Sequence, residues 1–340
     1  MSAAVASVGL PRDRHGRPLH DLRISVIETC NYRCPYCMPE GLTPEETALG
    51  RARRLDFDEI ETAVRAFARL GVSKLRLTGG EPLLRKGLPD LIARLARVPG
   101  IDDLALTTNG SLLAGQARAL REAGLHRITL SLDALDPAVF KAMSGGRGDL
   151  ADVLAGLDAA EAAGFRSIKI NCVVQRGVNE DQALALVEHF RGTPHVPRFI
   201  EYMDVGTCNG WRRENVLPSA ELRDLIAARW PLRALTPTYR GEVASRYGYE
   251  DGAGEIGFVS SVSEPFCGDC HRARLSADGQ LFTCLFATRG QPLRARIAEG
   301  EDALAAHLAT LWQARGDRYS EERASASPAR RKIEMFYIGG

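Results

Sequence analysis

At 340 residues and 45% hydrophobic content, the chain can form one large α/β barrel or two ordinary domains, each with a sizeable core. Its 44 basic and 43 acidic residues nearly cancel, which argues against a long-range field favouring nucleic acid or a membrane surface, so any anionic ligand must be held by local charges. No apolar run approaches the roughly 20 residues of a membrane span, and MSAAVASVGLPRDR lacks a basic stretch before its short apolar one; a cytoplasmic enzyme is expected.

Residues 1–20, rich in Pro, Arg and Gly without periodicity, are expected to form a flexible extension. From residue 21 to about 235, short strands alternate with helices. The strand candidates are LRISVI from Leu22, SKLRLT from Ser73, LALTTN from Leu104, RITLSLD from Arg127, SIKINCVV from Ser167 and RFIEYMD from Arg198. Helix-period segments between them include DEIETAVRAFARLG, LPDLIARLARVPG, AGQARALREAG and LADVLAGLDAAEAAG. Such alternation builds a parallel sheet with right-handed crossovers, and six units make a partial (β/α)6 TIM-like barrel.

One face of each strand is much more polar than the other. Lys74, Arg76 and Thr78 oppose Leu75 and Leu77; Arg23 and Ser25 oppose Leu22, Ile24 and Val26. Thr129, Ser131 and Asp133 oppose Ile128, Leu130 and Leu132, and Lys169 and Asn171 oppose Ile168, Ile170 and Cys172. A closed eight-stranded barrel fills its interior with branched apolar residues. Here the apolar faces must meet the helices, leaving a polar lumen suited to a negatively charged ligand; the alternative is an edge sheet with one wet face.

Beyond residue 235 the alternation stops. GFVSSVSEPFCGDCHRARLSADGQLFTCLFA reads as short strands and turns, followed by a helical stretch from Glu301 to Ala314 and an Arg-rich tail ending in Gly339 and Gly340. Residues 236–340 are thus expected to form an extension that closes the open side of the barrel. Within it, Gly252, Gly254 and Gly257 fit GxGxxG but open no helix in a βαβ unit, and read as a turn.

Eight cysteines without an export signal argue against structural disulfides. Six fall into two groups, Cys30, Cys34, Cys37 and Cys267, Cys270, Cys284; Cys172 and Cys208 stand alone. The first group forms CxxxCxxC directly after the first strand, with no fourth Cys or His nearby to complete a structural zinc site. Three thiolates leave one iron of a four-iron cluster open to a ligand. With Tyr36 before the last cysteine, and Thr78, Gly79, Gly80, Glu81, Pro82 at the end of the next strand, the pattern resembles the radical S-adenosylmethionine superfamily. Consecutive glycines let backbone approach a ligand, and Glu81 is suited to pair with a cationic amino group. The resemblance implies a 4Fe-4S cluster that reduces S-adenosylmethionine to methionine and a 5′-deoxyadenosyl radical.

Cys267 and Cys270, with Cys284 after a further thirteen residues, suit a zinc-stabilised loop and a cluster about equally, with His271 and Cys208 as candidate fourth ligands. Arg272 and Arg274 share one side of the following extended segment and suit phosphate clamping. CGDCHRARLSADGQLFTCLF resembles the C-terminal motif of the GTP 3′,8-cyclases of molybdenum cofactor biosynthesis, and LRISVIETCNYRCPYCMP, KLRLTGGEPLLR, LTTNG, SLDALD and RFIEYMDVG extend the likeness from Leu22 through most of the chain. By that resemblance the second group holds a second 4Fe-4S cluster whose free iron contacts guanine. S-adenosylmethionine meets Tyr36, Gly79, Gly80, Glu81, Ser131 and Met203, while GTP meets Arg23, Arg76, Thr107, Lys169, Arg272 and Arg274. Lys169 stands out because this chain uses arginine at most basic positions, yet puts lysine on an inward strand face.

The activity implied is radical cyclisation of GTP to (8S)-3′,8-cyclo-7,8-dihydroguanosine 5′-triphosphate. An electron donor such as flavodoxin or ferredoxin and a downstream cyclic pyranopterin monophosphate synthase are the expected partners; a homodimer is left open, and neither nucleic acid nor membrane is expected. Two rivals remain at this point: another radical enzyme with an auxiliary cluster, and a zinc-ribbon nucleic-acid-binding protein, which the near-zero net charge disfavours.

Overall fold

A computed structural model of the chain describes residues 10–41, 54–323 and 332–339. Six βα units come first: β1 (Asp21–Ser25), α1 (Phe57–Arg69), β2 (Lys74–Thr78), α2 (Leu88–Leu95), β3 (Asp103–Thr108), α3 (Ala117–Glu122), β4 (Arg127–Ser131), α4 (Pro137–Met143), α5 (Leu150–Ala162), β5 (Lys169–Val174), α6 (Glu180–Phe190), β6 (Val196–Glu201) and α7 (Ser219–Arg229). Three of these helices start where a side chain satisfies free N–H groups. Asp56 and Glu59 form a capping box at α1, and Asp136 and Asp149 accept the first amides of α4 and α5. The outward strand residues Leu22, Ile24, Leu75, Leu77, Leu104 and Leu106 are all fully buried against helices such as α1, which contributes Ile60, Val64 and Phe67 to one continuous core. Each such side chain contributes about 1.5–3 kcal/mol through loss of apolar surface to water.

The rest of the chain does not form a separate layer. β7 (Leu232–Leu235), β8 (Ser245–Tyr249) and β9 (Glu255–Val259) form an antiparallel meander whose last strand adds parallel to β6. β10 (Arg272–Leu275) adds parallel to β1 at the opposite edge, followed by antiparallel β11 (Gln280–Phe282) and β12 (Gln291–Pro292). A single 12-stranded sheet results, in the order β12-β11-β10-β1-β2-β3-β4-β5-β6-β9-β8-β7, and its two outer strands are not hydrogen-bonded to each other. It is a partial barrel whose C-terminal extension widens both edges across the open side. Residues 250–254, with Gly252 and Gly254 of the GxGxxG stretch, make the β8–β9 turn, while Gly257 lies in β9. Helices α8 (Arg294–Ala298), α9 (Glu301–Gln313), α10 (Tyr319–Glu322) and α11 (Met335–Ile338) complete the chain, α9 packing on α1.

Two expectations change. Of the supposedly flexible extension, residues 10–20 are packed: Arg17 is 1% exposed, and Asp13 and Leu19 are buried because a short hairpin bridged between Arg12 and Pro18 folds onto the C-terminal region. Residues 1–9 lie outside the described residues. β7, placed at the end of the barrel by its position in the sequence, pairs with β8 and so belongs by hydrogen bonding to the extension. Among the described residues no helix is long and apolar enough to cross a membrane.

Candidate active site

Strand register assembles the site. Arg274 lies beside Arg23, and Arg23 beside Arg76, across β10, β1 and β2; Thr107 lies beside Thr129 and Thr129 beside Lys169 across β3, β4 and β5; Asn171 lies beside Arg198 on β6. Because side chains alternate along a strand, these residues share the inner face. They ring a cavity that opens to solvent. Every one of the 18 residues named above as a cluster ligand or as a contact for S-adenosylmethionine or GTP lines it.

The two cysteine groups sit at opposite ends. Cys30, Cys34 and Cys37 follow the C-terminal end of β1, whereas Cys267 and Cys270 precede the N-terminal end of β10, which runs parallel to β1 with Asp21 beside Arg272. The four steps from Asp21 to Ser25 alone separate these ends by about 13 Å. Neither trio gathers around one point. Zinc bonded to sulfur at about 2.3 Å holds its thiolates about 3.8 Å apart. Among the described residues, the one group of three or more ligands whose atoms all lie within 4.8 Å of one another is His20, Asp21 and His271. Wider spacing in both groups disfavours a single zinc ion. Within that trio His20 and Asp21 are paired, His20 Nδ1 lying 2.6 Å from Asp21 and its Nε2 3.3 Å from Ser73 Oγ, with the cations Lys74 and Arg272 beside them, whereas both ring nitrogens of His271 are buried without a hydrogen-bond partner.

Burial pushes the Cys30 thiol up to about 11 and raises Cys34 and Cys37 as well, Cys34 helped by the charge of Asp133 and Cys37 by its neighbours Cys34 and Cys30. Burial thus disfavours the free thiolates, which a bound metal would favour. Cys270 differs. Although burial opposes ionisation, the guanidinium groups of Arg272 and Arg315 bring it down to about 6, while Cys284 is pushed by burial to about 12. Neither proposed fourth ligand joins the second group. Cys208 donates to Glu334 at 2.8 Å near Cys37, and Gly241 packs against His271 Nε2, where a Cβ would come within 2.4 Å.

The GGEP turn acts on the cysteine loop. Gly80 N–H donates to Ile27 at 2.7 Å and Glu81 N–H to Thr29 at 2.9 Å, and a Cβ at Gly80 would come within 2.3 Å of the Thr29 carbonyl. The glycines thus admit backbone against backbone, a use different from the expected approach to a ligand. Glu81, 1% exposed, accepts from Leu83 N, Thr108 Oγ1 and Asn109 N, and burial raises it to about 7. Its oxygens face the protein's own donors, so its first task is to bind the ends of β2 and β3 together. Tyr36 donates to Asp133 at 2.7 Å, and Asp133 also accepts from Val173 N, yet burial lifts it to about 6. Gly339 abuts Thr78 at the tip of β2, bringing the tail to the cavity rim; Gly340 lies outside the described residues.

The opposite end carries unbalanced cations. Arg76 is fixed by Thr107 and Thr129, both at 2.9 Å. Arg272 and Arg274 are 6% and 3% exposed, and Arg272 Nε and Nη1, Arg274 Nε and Arg198 Nε have no hydrogen-bond partner within the chain. Burial, then mutual repulsion, lowers Arg23 well below its usual range and brings Arg76 and Arg274 to about 10. Lys169 falls to about 7 through burial and the charges of Arg198, Arg127 and Arg76. Arg198 and Lys74 are lining residues absent from the sequence-derived contacts; Lys74 was visible on the inward face of its strand, and Arg198 could have been found by the same alternation, between Pro197 and Phe199. Unpaired buried guanidiniums are costly unless an anion completes them, so the site is built for a polyanion.

An open parallel barrel with a three-cysteine loop after its first strand and a GGEP turn after its second defines a radical S-adenosylmethionine protein. Residues 24–190 match the model of the Radical SAM superfamily and residues 196–321 that of Molybdenum Cofactor Synthesis C. The "GTP 3',8-cyclase" of Xanthomonas campestris pv. campestris (strain 8004) is 66% identical over 97% of both chains. Those of Acidothermus cellulolyticus and Staphylococcus haemolyticus are 50% and 43% identical, each over 97% of this chain and over 99% and 98% of their own lengths. In fold, the crystal structure of Streptococcus suis SuiB bound to S-adenosylmethionine superposes with a TM-score of 0.60 at 15% identity, over 92% of this chain and 69% of that one. The chain belongs to the GTP 3′,8-cyclase family.

Proposed function

We propose that this protein converts GTP to (8S)-3′,8-cyclo-7,8-dihydroguanosine 5′-triphosphate, with one 4Fe-4S cluster at each cysteine group. The observation that carries the reading is the cavity itself, which is lined by both thiol sets and by buried guanidiniums whose N–H groups lack hydrogen-bond partners within the chain. S-adenosylmethionine, bound at the cluster of Cys30, Cys34 and Cys37, supplies the 5′-deoxyadenosyl radical. Tyr36, Gly79, Gly80, Glu81, Ser131 and Met203 line that end and would seat it. Arg23, Arg76, Lys169, Arg272 and Arg274, joined by Lys74 and Arg198, hold the triphosphate; Thr107 both positions Arg76 and contacts the nucleotide. The base would rest toward Cys267, Cys270 and Cys284, and the ribose would then lie between the two cysteine groups.

The barrel supplies the radical end and most of the cations for the triphosphate, and the C-terminal extension adds Arg272, Arg274 and the second cysteine group. A cytoplasmic setting, a low-potential donor such as flavodoxin or ferredoxin, and a synthase that consumes the product follow from the same reading. The spacing of the thiols and the lack of a single-ion ligand set at either trio weigh against the zinc-ribbon alternative. Anaerobic protein reconstituted with iron and sulfide, given S-adenosylmethionine and dithionite, should form 5′-deoxyadenosine much faster with GTP than with ATP or no nucleotide. Equal rates with all three would remove GTP as the substrate.

A further inference from the structure

The hairpin of residues 10–20 is tied to the second cysteine group by buried charge. Asp13 Oδ2 accepts from Arg17 Nε at 2.6 Å and from Arg315 Nη1 at 3.1 Å, and all three side chains are at most 1% exposed. Asp13 Oδ1 accepts the amides of His15 and Arg17, both at 2.9 Å, so the carboxylate is fixed by its own turn. From this anchor the two guanidiniums reach the cysteines. Arg17 Nη1 donates to the Cys267 carbonyl at 2.7 Å and to the Asp317 carbonyl at 2.9 Å. Arg315 Nη1 donates to the Cys270 carbonyl at 2.7 Å, its Nε to the carbonyl of Thr283, next to Cys284, at 3.1 Å, and its Nη2 to Cys270 Sγ at 3.3 Å. The Trp312 ring lies 4.5 Å from the Arg315 guanidinium, and its Nε1 donates to the Arg17 carbonyl at 3.0 Å.

One guanidinium thus spans both halves of a ligand set separated by thirteen residues in sequence. The carboxylate of Asp13 is shared between two arginines, and the next acid, Asp317, stands 3.5 Å from Arg315 Nε and is 37% exposed. The other anionic partner within reach of Arg315 is the Cys270 sulfur. Hydrogen bonds and positive charge at a cluster's thiolates stabilise its reduced, more negative state, and such outer partners also set ligand geometry.

We infer that Arg315, locked by Asp13 and Arg17, is a positioning residue for the auxiliary cluster that aligns Cys270 with Cys284 and raises the cluster's reduction potential through its N–H bond to Cys270. This rests on the two-cluster reading above. The test uses the full chain with Cys30, Cys34 and Cys37 all changed to alanine, so that any remaining cluster belongs to the second group. Iron and sulfide content and an EPR-monitored redox titration are the readouts, made on this parent and on the same protein with Arg315→Lys or Arg315→Gln. A parent that binds no iron refutes the two-cluster reading itself. With a loaded parent, the midpoint should move to more negative potential in both variants, further for glutamine, which loses the charge, than for lysine, which keeps it but loses the fork. If Arg315→Gln does not fold or load, Arg315→Lys decides. A loaded variant whose midpoint equals the parent's overturns the inference.

Discussion

Arg274→Ala weakens GTP binding by about a hundredfold, as a hydrogen bond to a charged group contributes about 1.5–3 kcal/mol and an arginine fork makes two. The relief of its repulsion with Arg23 and Arg272 offsets part of that loss. Cleavage of S-adenosylmethionine without GTP should persist, because Arg274 lies beside Arg23 in the middle of β1, away from the loop after Ser25 that carries Cys30. Equilibrium binding to the anaerobic protein measures the affinity; an unchanged dissociation constant would remove Arg274 from the site. Lys169 adds a pH dependence with a definite sign. Its pKa is lowered to about 7 without a ligand, so above pH 7 it is mostly neutral and takes up a proton when the triphosphate arrives. GTP affinity should therefore fall between pH 7.5 and 9, by at most about tenfold per pH unit. Lys169→Arg, permanently charged, should flatten that slope, and an identical slope in the variant would contradict this role.

Cys34→Ser abolishes 5′-deoxyadenosine formation and takes iron from about eight to about four per chain. A serine oxygen is a poor substitute for a soft thiolate, and two remaining thiols cannot hold the cluster in a buried loop that already disfavours charge. Cys284→Ser is the informative contrast. The same loss of iron is expected, but the radical end is untouched, so S-adenosylmethionine is still cleaved while no cyclised nucleotide forms. Product formation by the Cys284 variant at the parental rate would show that the second group is not needed for the substrate reaction.

Much of this site was legible in the sequence because its signals are local. Alternation along β1, β2, β4 and β5 identified the inward polar faces, and CxxxCxxC and GGEP declared themselves through fixed spacing at strand ends. What was not legible depends on distant pairing. Nothing in the periodicity of Glu255–Val259 or Arg272–Leu275 says that one joins β6 and the other β1, yet that split brings Arg274 beside Arg23. Arg17 and Asp13 look like solvated loop residues until Arg315 is seen to pair with the carboxylate between them, across a sequence separation of 302 residues. Glu81 has a second role that its motif does not show. Besides lining the cavity it accepts from the amides of Leu83 and Asn109 and the hydroxyl of Thr108, partners that only the fold supplies.

The most direct measurement is transfer of the ribose hydrogen. With GTP deuterated only at C3′, the protein reconstituted with both clusters should yield 5′-deoxyadenosine carrying one deuterium, detected by mass spectrometry, together with a cyclised nucleotide that has lost it. Cleavage of S-adenosylmethionine that leaves every deuterium on intact GTP would contradict the account.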